Sequence, residues 1–240
     1  MASSQCCENP HTLSSTCGQG CVEDVGGLKA YITGHSDSKL AVLLASDVFG
    51  YEAPNLRKLA DKIAAAGFYV VVPDFFYGEP YETNNPNRPV LEWLKDHGTD
   101  KGTEAAKAVV AALKSKGISA IGAVGFCWGA KVVVELGKHS LINAAVLCHP
   151  ALVTVDDIKE VKTHIAILLA EIDESNTPPE LVKQYEEALS VKAEVGAFMK
   201  IFPGTEHGWT VRYDVDDEPA VKKAEESHQH MLDWFTKYVK

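Results

Sequence analysis

One unit repeats along most of this chain and constrains the fold more than anything else: a short apolar run, a turn, then a longer stretch with helical spacing. Residues 40–45, 69–72, 120–124, 144–147, 165–170 and 198–202 are the apolar runs. Few of them alternate apolar with polar, so each predicted strand is expected to be covered on both faces, as in a parallel sheet. Helical spacing fills the intervals at 55–66, 102–116, 128–136, 179–191 and 219–238, and the first two end at Gly67 and Gly117. Alternation of this kind predicts βαβ units with right-handed crossovers. The expectation is one α/β domain over residues 22–240, preceded by a flexible cysteine-containing leader over 1–21. A strand over 28–32 is expected at the sheet edge, before the parallel part begins.

The chain has 240 residues, enough for one well-covered sheet and cramped for two domains. Lys and Arg number 23 against 33 Asp and Glu, a net charge of −10, which gives no electrostatic support to a nucleic-acid or anionic-membrane partner. No run approaches the roughly 18 apolar residues of a membrane span, and the opening MASSQCCENPHTLSS lacks the charged and apolar regions of a signal peptide. A cytoplasmic protein is expected. Four of the six cysteines, Cys6, Cys7, Cys17 and Cys21, crowd into the leader at spacings unlike the two-knuckle zinc pattern, so no metal is expected and reduced thiols are the favoured reading.

The remaining cysteines are Cys148, read as a packing residue, and Cys127, which stands in GFCWG (125–129) between a predicted strand and a predicted helix. That context fits a nucleophile elbow, in which glycines allow so tight a turn that the central side chain stands above the sheet. The plainer alternative is a buried thiol between packing glycines. An elbow makes a demand that can fail: an acid and then a histidine must follow at the ends of later strands. EIDESNTPP follows 165–170 and offers Glu171, Asp173 and Glu174, with Asp173 preferred; PGTEHGW follows 198–202 and offers His207. In such a set His207 takes the thiol proton and Asp173 orients the imidazole. The backbone N–H groups of Trp128 and Val48 are the expected oxyanion donors. His149 follows its strand too closely to be the base but could line the pocket mouth. The segment 73–89, PDFFYGEPYETNNPNRP, is a lid or pocket-wall candidate, and Phe75, Phe76, Tyr77, Trp128 and Trp209 are expected to enclose the substrate.

Four segments in order, ASDVFG (45–50), GFCWGAK (125–131), AEIDESNTPPE (170–180) and PGTEHGW (203–209), resemble the dienelactone hydrolase family, in particular its eukaryotic and plant branch of carboxymethylenebutenolidase-like proteins. The resemblance spans nearly all of 22–240. It implies an α/β-hydrolase fold, with a mostly parallel sheet of seven or eight strands and helices on both faces. It further implies a Cys127, Asp173, His207 triad that cleaves a small ester or enol-lactone through a thioester, with no cofactor; a monomer or homodimer is expected. It gives Asp47 a part in tuning the nucleophile, where the family carries a carboxylate that is usually Glu, and Arg212 a part in binding an anionic substrate group. A further arginine that bacterial members carry after the second parallel strand is replaced here by sequence around Tyr77 and Gly78, which disfavours dienelactone itself. Plant relatives have also been described as β-glucanases, but no carboxylate pair suited to that reaction stands out. A non-hydrolytic ligand-binding or receptor protein, and an enzyme of specialised metabolism catalysing elimination or cyclisation, remain as alternatives on the same fold.

Overall fold

A computed structural model describes residues 7, 10, 13, 14, 16–83 and 85–240. Its centre is an eight-stranded sheet in the order β1-β2-β4-β3-β5-β6-β7-β8. The strands are β1 (Cys21–Val25), β2 (Leu28–Thr33), β3 (Leu40–Ala45), β4 (Tyr69–Pro73), β5 (Ala120–Phe126), β6 (Ala144–Cys148), β7 (His164–Ile172) and β8 (Ala197–Glu206). From β4 through β8 in that order every neighbouring pair is parallel, while β2 is antiparallel to both of its neighbours, β1 and β4.

From β3 to β7 the strands form where the apolar runs stand because both faces are covered, whereas the 198–202 run lies in the edge strand β8 and is covered only in part, with Ile201 exposed. Along β3, Ala41, Leu43 and Ala45 enter one core layer while Val42 and Leu44 enter the other, all 0% exposed. Complete burial of a Leu or Val contributes about 1.5–3 kcal/mol, so this strand alone accounts for several such contributions. Helices α1 (Pro54–Ala65) and α7 (Glu218–Tyr238) supply one layer, the latter through Met231, Trp234 and Phe235. Helices α3 (Thr99–Ser115), α4 (Trp128–Lys138) and α6 (Pro179–Ser190) supply the other through residues such as Val109, Val133 and Tyr185.

Several elements depart from the sequence expectation. The strand expected over 28–32 exists but is not the edge: β2 lies between β1 and β4, and β1 is outermost. In CVEDV four of five residues are exposed, so β1 is held by its backbone ladder to β2 and leaves no apolar pattern to read. β1 also opens at Cys21, inside the range assigned to the leader, and Cys17 just before it bonds Ser14 O at 3.1 Å. Cys6 and the rest of residues 1–6 lie outside the described residues. Two short helices, α2 (Val90–Asp96) and α5 (Val155–Glu160), are too brief to show a period. α2 buries Trp93, and α5 is fixed by a reciprocal cap between Thr154 and Asp157.

Candidate active site

Cys127 separates β5 from α4, and its backbone has φ 52 and ψ −110. Positive φ is unusual for a residue with a side chain and persists only where the surroundings over-determine it. Here the two glycines of GFCWG are the determinants. A Cβ on Gly125 would meet Gly129 O at 2.2 Å, and one on Gly129 would meet Ala45 O at 2.1 Å. Backbone therefore touches backbone where β5, α4 and β3 converge, and no side chain fits at either position. The Cys127 N–H donates to Cys148 O at 3.1 Å, while its carbonyl accepts from Ala130 and Ala151. As the first residue of α4, Trp128 has an N–H with no acceptor earlier in the helix, at the positive end of the helix dipole.

The loops after β7 and β8 bring the other two predicted residues together. His207 Nδ1 lies 2.7 Å from Asp173 Oδ2, with both side chains essentially inaccessible. The carboxylate accepts, so Nδ1 carries the proton and Nε2 is left as the basic nitrogen. Asn176 Nδ2 donates to Asp173 Oδ1 at 2.7 Å, and the Thr177 N–H donates to the Asp173 carbonyl at 2.8 Å. Glu171, the competing acid, accepts instead from the Gly204 N–H at 2.8 Å. Asn176 was not anticipated. An asparagine three residues after the acid could have been read as a turn residue that bonds back to it.

Asp47 lies in the turn after β3 with its two oxygens on different donors: the Phe49 N–H at 2.9 Å and Arg212 Nε at 2.7 Å. The Arg212 guanidinium also lies over the Phe49 ring, 4.8 Å from its centroid. The adjacent Val48 is buried and its carbonyl accepts the Tyr81 N–H, which ties the 73–89 segment to the predicted oxyanion turn. His149, at φ 37, directly follows β6 and meets the His207 ring edge-on at 5.0 Å. Burial, reinforced by His207 and Arg212, holds His149 well below the ordinary histidine range. Burial likewise pushes the Cys148 thiol far above its usual value.

The aromatic residues expected around the substrate divide into three groups. Phe75, Phe76 and Trp128 pack on one another, with ring centroids 5.9 and 4.8 Å from Trp128, and Trp128 Nε1 donates to His97 O at 3.0 Å. Trp209 lines a cavity of about 1010 Å³ together with His207, Arg212, Asn55 and Tyr213. Tyr77, 69% exposed, stands apart from both and borders a groove beside α3 and α4 with Thr99, Lys131 and His139. Among the described residues no cluster of His, Cys, Asp and Glu could hold a metal ion, and no helix is long and apolar enough to cross a membrane.

This strand order, with a cysteine at the sharp turn after β5, defines an α/β-hydrolase fold. The model of the dienelactone hydrolase family matches residues 28–239, so the chain belongs to that family and is a hydrolase. It is 47% identical over 201 residues, 81% of its length, to an endo-1,3;1,4-beta-D-glucanase of Zea mays, and spans 64% of that longer protein. It is 34% identical to a carboxymethylenebutenolidase homolog of Xenopus tropicalis, with 88% of each chain covered. A dienelactone hydrolase-like promiscuous phosphotriesterase from metagenomic libraries shares the fold at a TM-score of 0.72 and 15% identity, over 92% of this chain and 98% of that one.

Proposed function

We propose that the chain cleaves small esters or lactones by covalent catalysis at Cys127. The observation that carries this reading is the buried 2.7 Å contact between His207 Nδ1 and Asp173 Oδ2, formed by the loops that follow the strands beyond the cysteine turn. His207 Nε2 takes the thiol proton as sulfur attacks the acyl carbon, and Asp173 stabilises the imidazolium. Negative charge on the carbonyl oxygen meets the N–H groups of Trp128 and Val48. Collapse of the adduct breaks the acyl C–O bond, the leaving oxygen takes the proton from His207, and a thioester remains on Cys127. Water, deprotonated by the same imidazole, then releases the acid and restores the thiol.

Substrates are small and apolar to weakly anionic, because the cavity beside His207 combines Trp209, Tyr213 and Pro54 with Arg212. Action on a mixed-linkage β-glucan is the second reading and rests on the name of the maize relative. Both are tested by incubating wild type, Cys127→Ser and Cys127→Ala with aryl esters, enol lactones and soluble 1,3;1,4-β-glucan, following turnover and intact mass. The proposal expects ester or lactone turnover that Cys127→Ala abolishes, with an acyl adduct on the wild-type chain. Turnover that survives Cys127→Ala refutes it, as does activity confined to the glucan; a wild type that binds ester without ever turning it over would mark a binding protein instead.

A further inference from the structure

The loop between β8 and α7 carries both His207 and Arg212, so its placement sets the placement of both. Within the loop, Trp209 N–H bonds Glu206 O, and Val211 N–H and Arg212 N–H both bond Gly208 O. Those bonds shape the loop but do not fix it to the rest of the molecule. Thr210 lies between the two residues, 0% exposed, and reaches two other elements. Its Oγ1 stands 2.7 Å from His149 Nε2, on the turn after β6. Its carbonyl accepts from His228 Nε2 on α7 at 2.8 Å.

We propose that Thr210 is a positioning residue of this loop: by joining it to the end of β6 through His149 and to α7 through His228, it sets the reach of His207 toward Cys127. The inference rests on the acyl-transfer reading above, and none of these groups has a part in the bond-making steps. β6 is the relevant anchor, because Cys148 O also accepts the Cys127 N–H at 3.1 Å. One strand end thus holds the sulfur-bearing turn on one side and, through Thr210, the imidazole-bearing loop on the other.

The protonation chemistry suits a fixed clamp. A carbonyl only accepts, so His228 donates from Nε2, and burial holds the ring pKa down to about 4, which keeps it neutral with its proton on that nitrogen. His149 is held neutral by burial as well, so it adds no repulsion when the neighbouring His207 becomes imidazolium. A buried hydroxyl that bonds a ring nitrogen is costly to remove, since valine fills the same space but leaves His149 Nε2 without its bond. Displacing a reacting group by about 1 Å can cost on the order of a hundredfold in rate.

The experiment compares Thr210→Val with Thr210→Ser, and His228→Leu with His228→Gln, using aryl-ester turnover per folded molecule. Serine keeps the hydroxyl and glutamine keeps a donor for the Thr210 carbonyl. The expected result is a fall of about tenfold or more in kcat for Thr210→Val and for His228→Leu, with KM within about threefold, and recovery to within about twofold of wild type in Thr210→Ser and His228→Gln. If one non-bonding variant does not fold, the other carries the comparison. Wild-type kcat per folded molecule in Thr210→Val or His228→Leu overturns the inference, as does an equal loss in the serine and glutamine variants. Cys127→Ala separates the two levels: if it stays active the acyl-transfer reading falls, whereas an inactive Cys127→Ala beside a fully active Thr210→Val removes the positioning role alone.

Discussion

Arg212 Nε donates to Asp47 Oδ2 at 2.7 Å, with side chains 1% and 2% exposed. These residues come from the turn after β3 and the loop after β8, so one buried ion pair joins the predicted oxyanion turn to the loop bearing His207. It also occupies the cation that an anionic substrate group would seek, and such a group must compete with Asp47 for the guanidinium.

Removing one member of a buried pair costs more than the pair contributes, because the other charge is left in a poorly solvating place. Asp47→Ala and Arg212→Met are each expected to lower stability by about 3–5 kcal/mol, and the double variant to lose clearly less than the sum. Urea unfolding of the four proteins checks this. Strict additivity would show that the two side chains do not act on one another.

The elbow glycines yield a sharper contrast. Ala at Gly125 or Gly129 would force backbone apart at contacts of 2.2 and 2.1 Å, and each is expected to cost about 3 kcal/mol or to prevent folding. Gly27 also has positive φ, at 85, but nothing lies within 4 Å of an added Cβ. Gly27→Ala is therefore expected to cost only the left-handed conformation, about 1 kcal/mol. Thermal unfolding midpoints should rank the variants accordingly.

The same glycines show why much of the site was legible in the sequence. GFCWG, with its strand and helix on either side, names a local geometry, and the order of Asp173 and His207 after later strands follows from the topology that the apolar runs announce. What escaped was held by backbone or by distant partners. β1 is nearly all exposed and depends on its ladder to β2. The Asp47–Arg212 pair joins residues 165 positions apart, which no local pattern reveals. Tyr77 follows two aromatics in sequence, yet Phe75 and Phe76 are buried while Tyr77 is turned outward at φ 55. The burial of His228 escaped as well: α7 presents it to the 207–212 loop, although histidines on a last helix more often face solvent.

His228 also sets a pH dependence of stability. Burial lowers its pKa from 6.5 to about 4 in the folded protein, so below pH 6.5 the unfolded chain takes up a proton that the folded one does not. Stability is unaffected by this residue above about pH 6.5 and declines as pH falls from there toward 4. The loss by pH 4.5 is on the order of 2–3 kcal/mol. His228→Gln, which cannot titrate, is expected to shrink the stability difference between pH 7.5 and pH 4.5 by about that amount in urea unfolding. An unchanged difference would mean that the ring is protonated in the fold as readily as in the unfolded chain.

The last prediction concerns which acid serves His207. Asp173 has one oxygen on His207 Nδ1 and the other on Asn176 Nδ2, whereas Glu171 is turned toward the Gly204 N–H. Asp173→Asn keeps the shape but replaces the acceptor with a group that can also donate, which favours the wrong tautomer of His207. On aryl esters its kcat is expected to fall by about 10³ to 10⁴. Asn176→Ala leaves the carboxylate charged but free to rotate, so a smaller fall of about tenfold is expected, while Glu171→Gln should stay within about twofold of wild type. Steady-state rates for the three variants check the order. A loss in Glu171→Gln comparable to that in Asp173→Asn would transfer the orienting role to the earlier acid, and equal activity in all three would mean that no carboxylate assists the histidine.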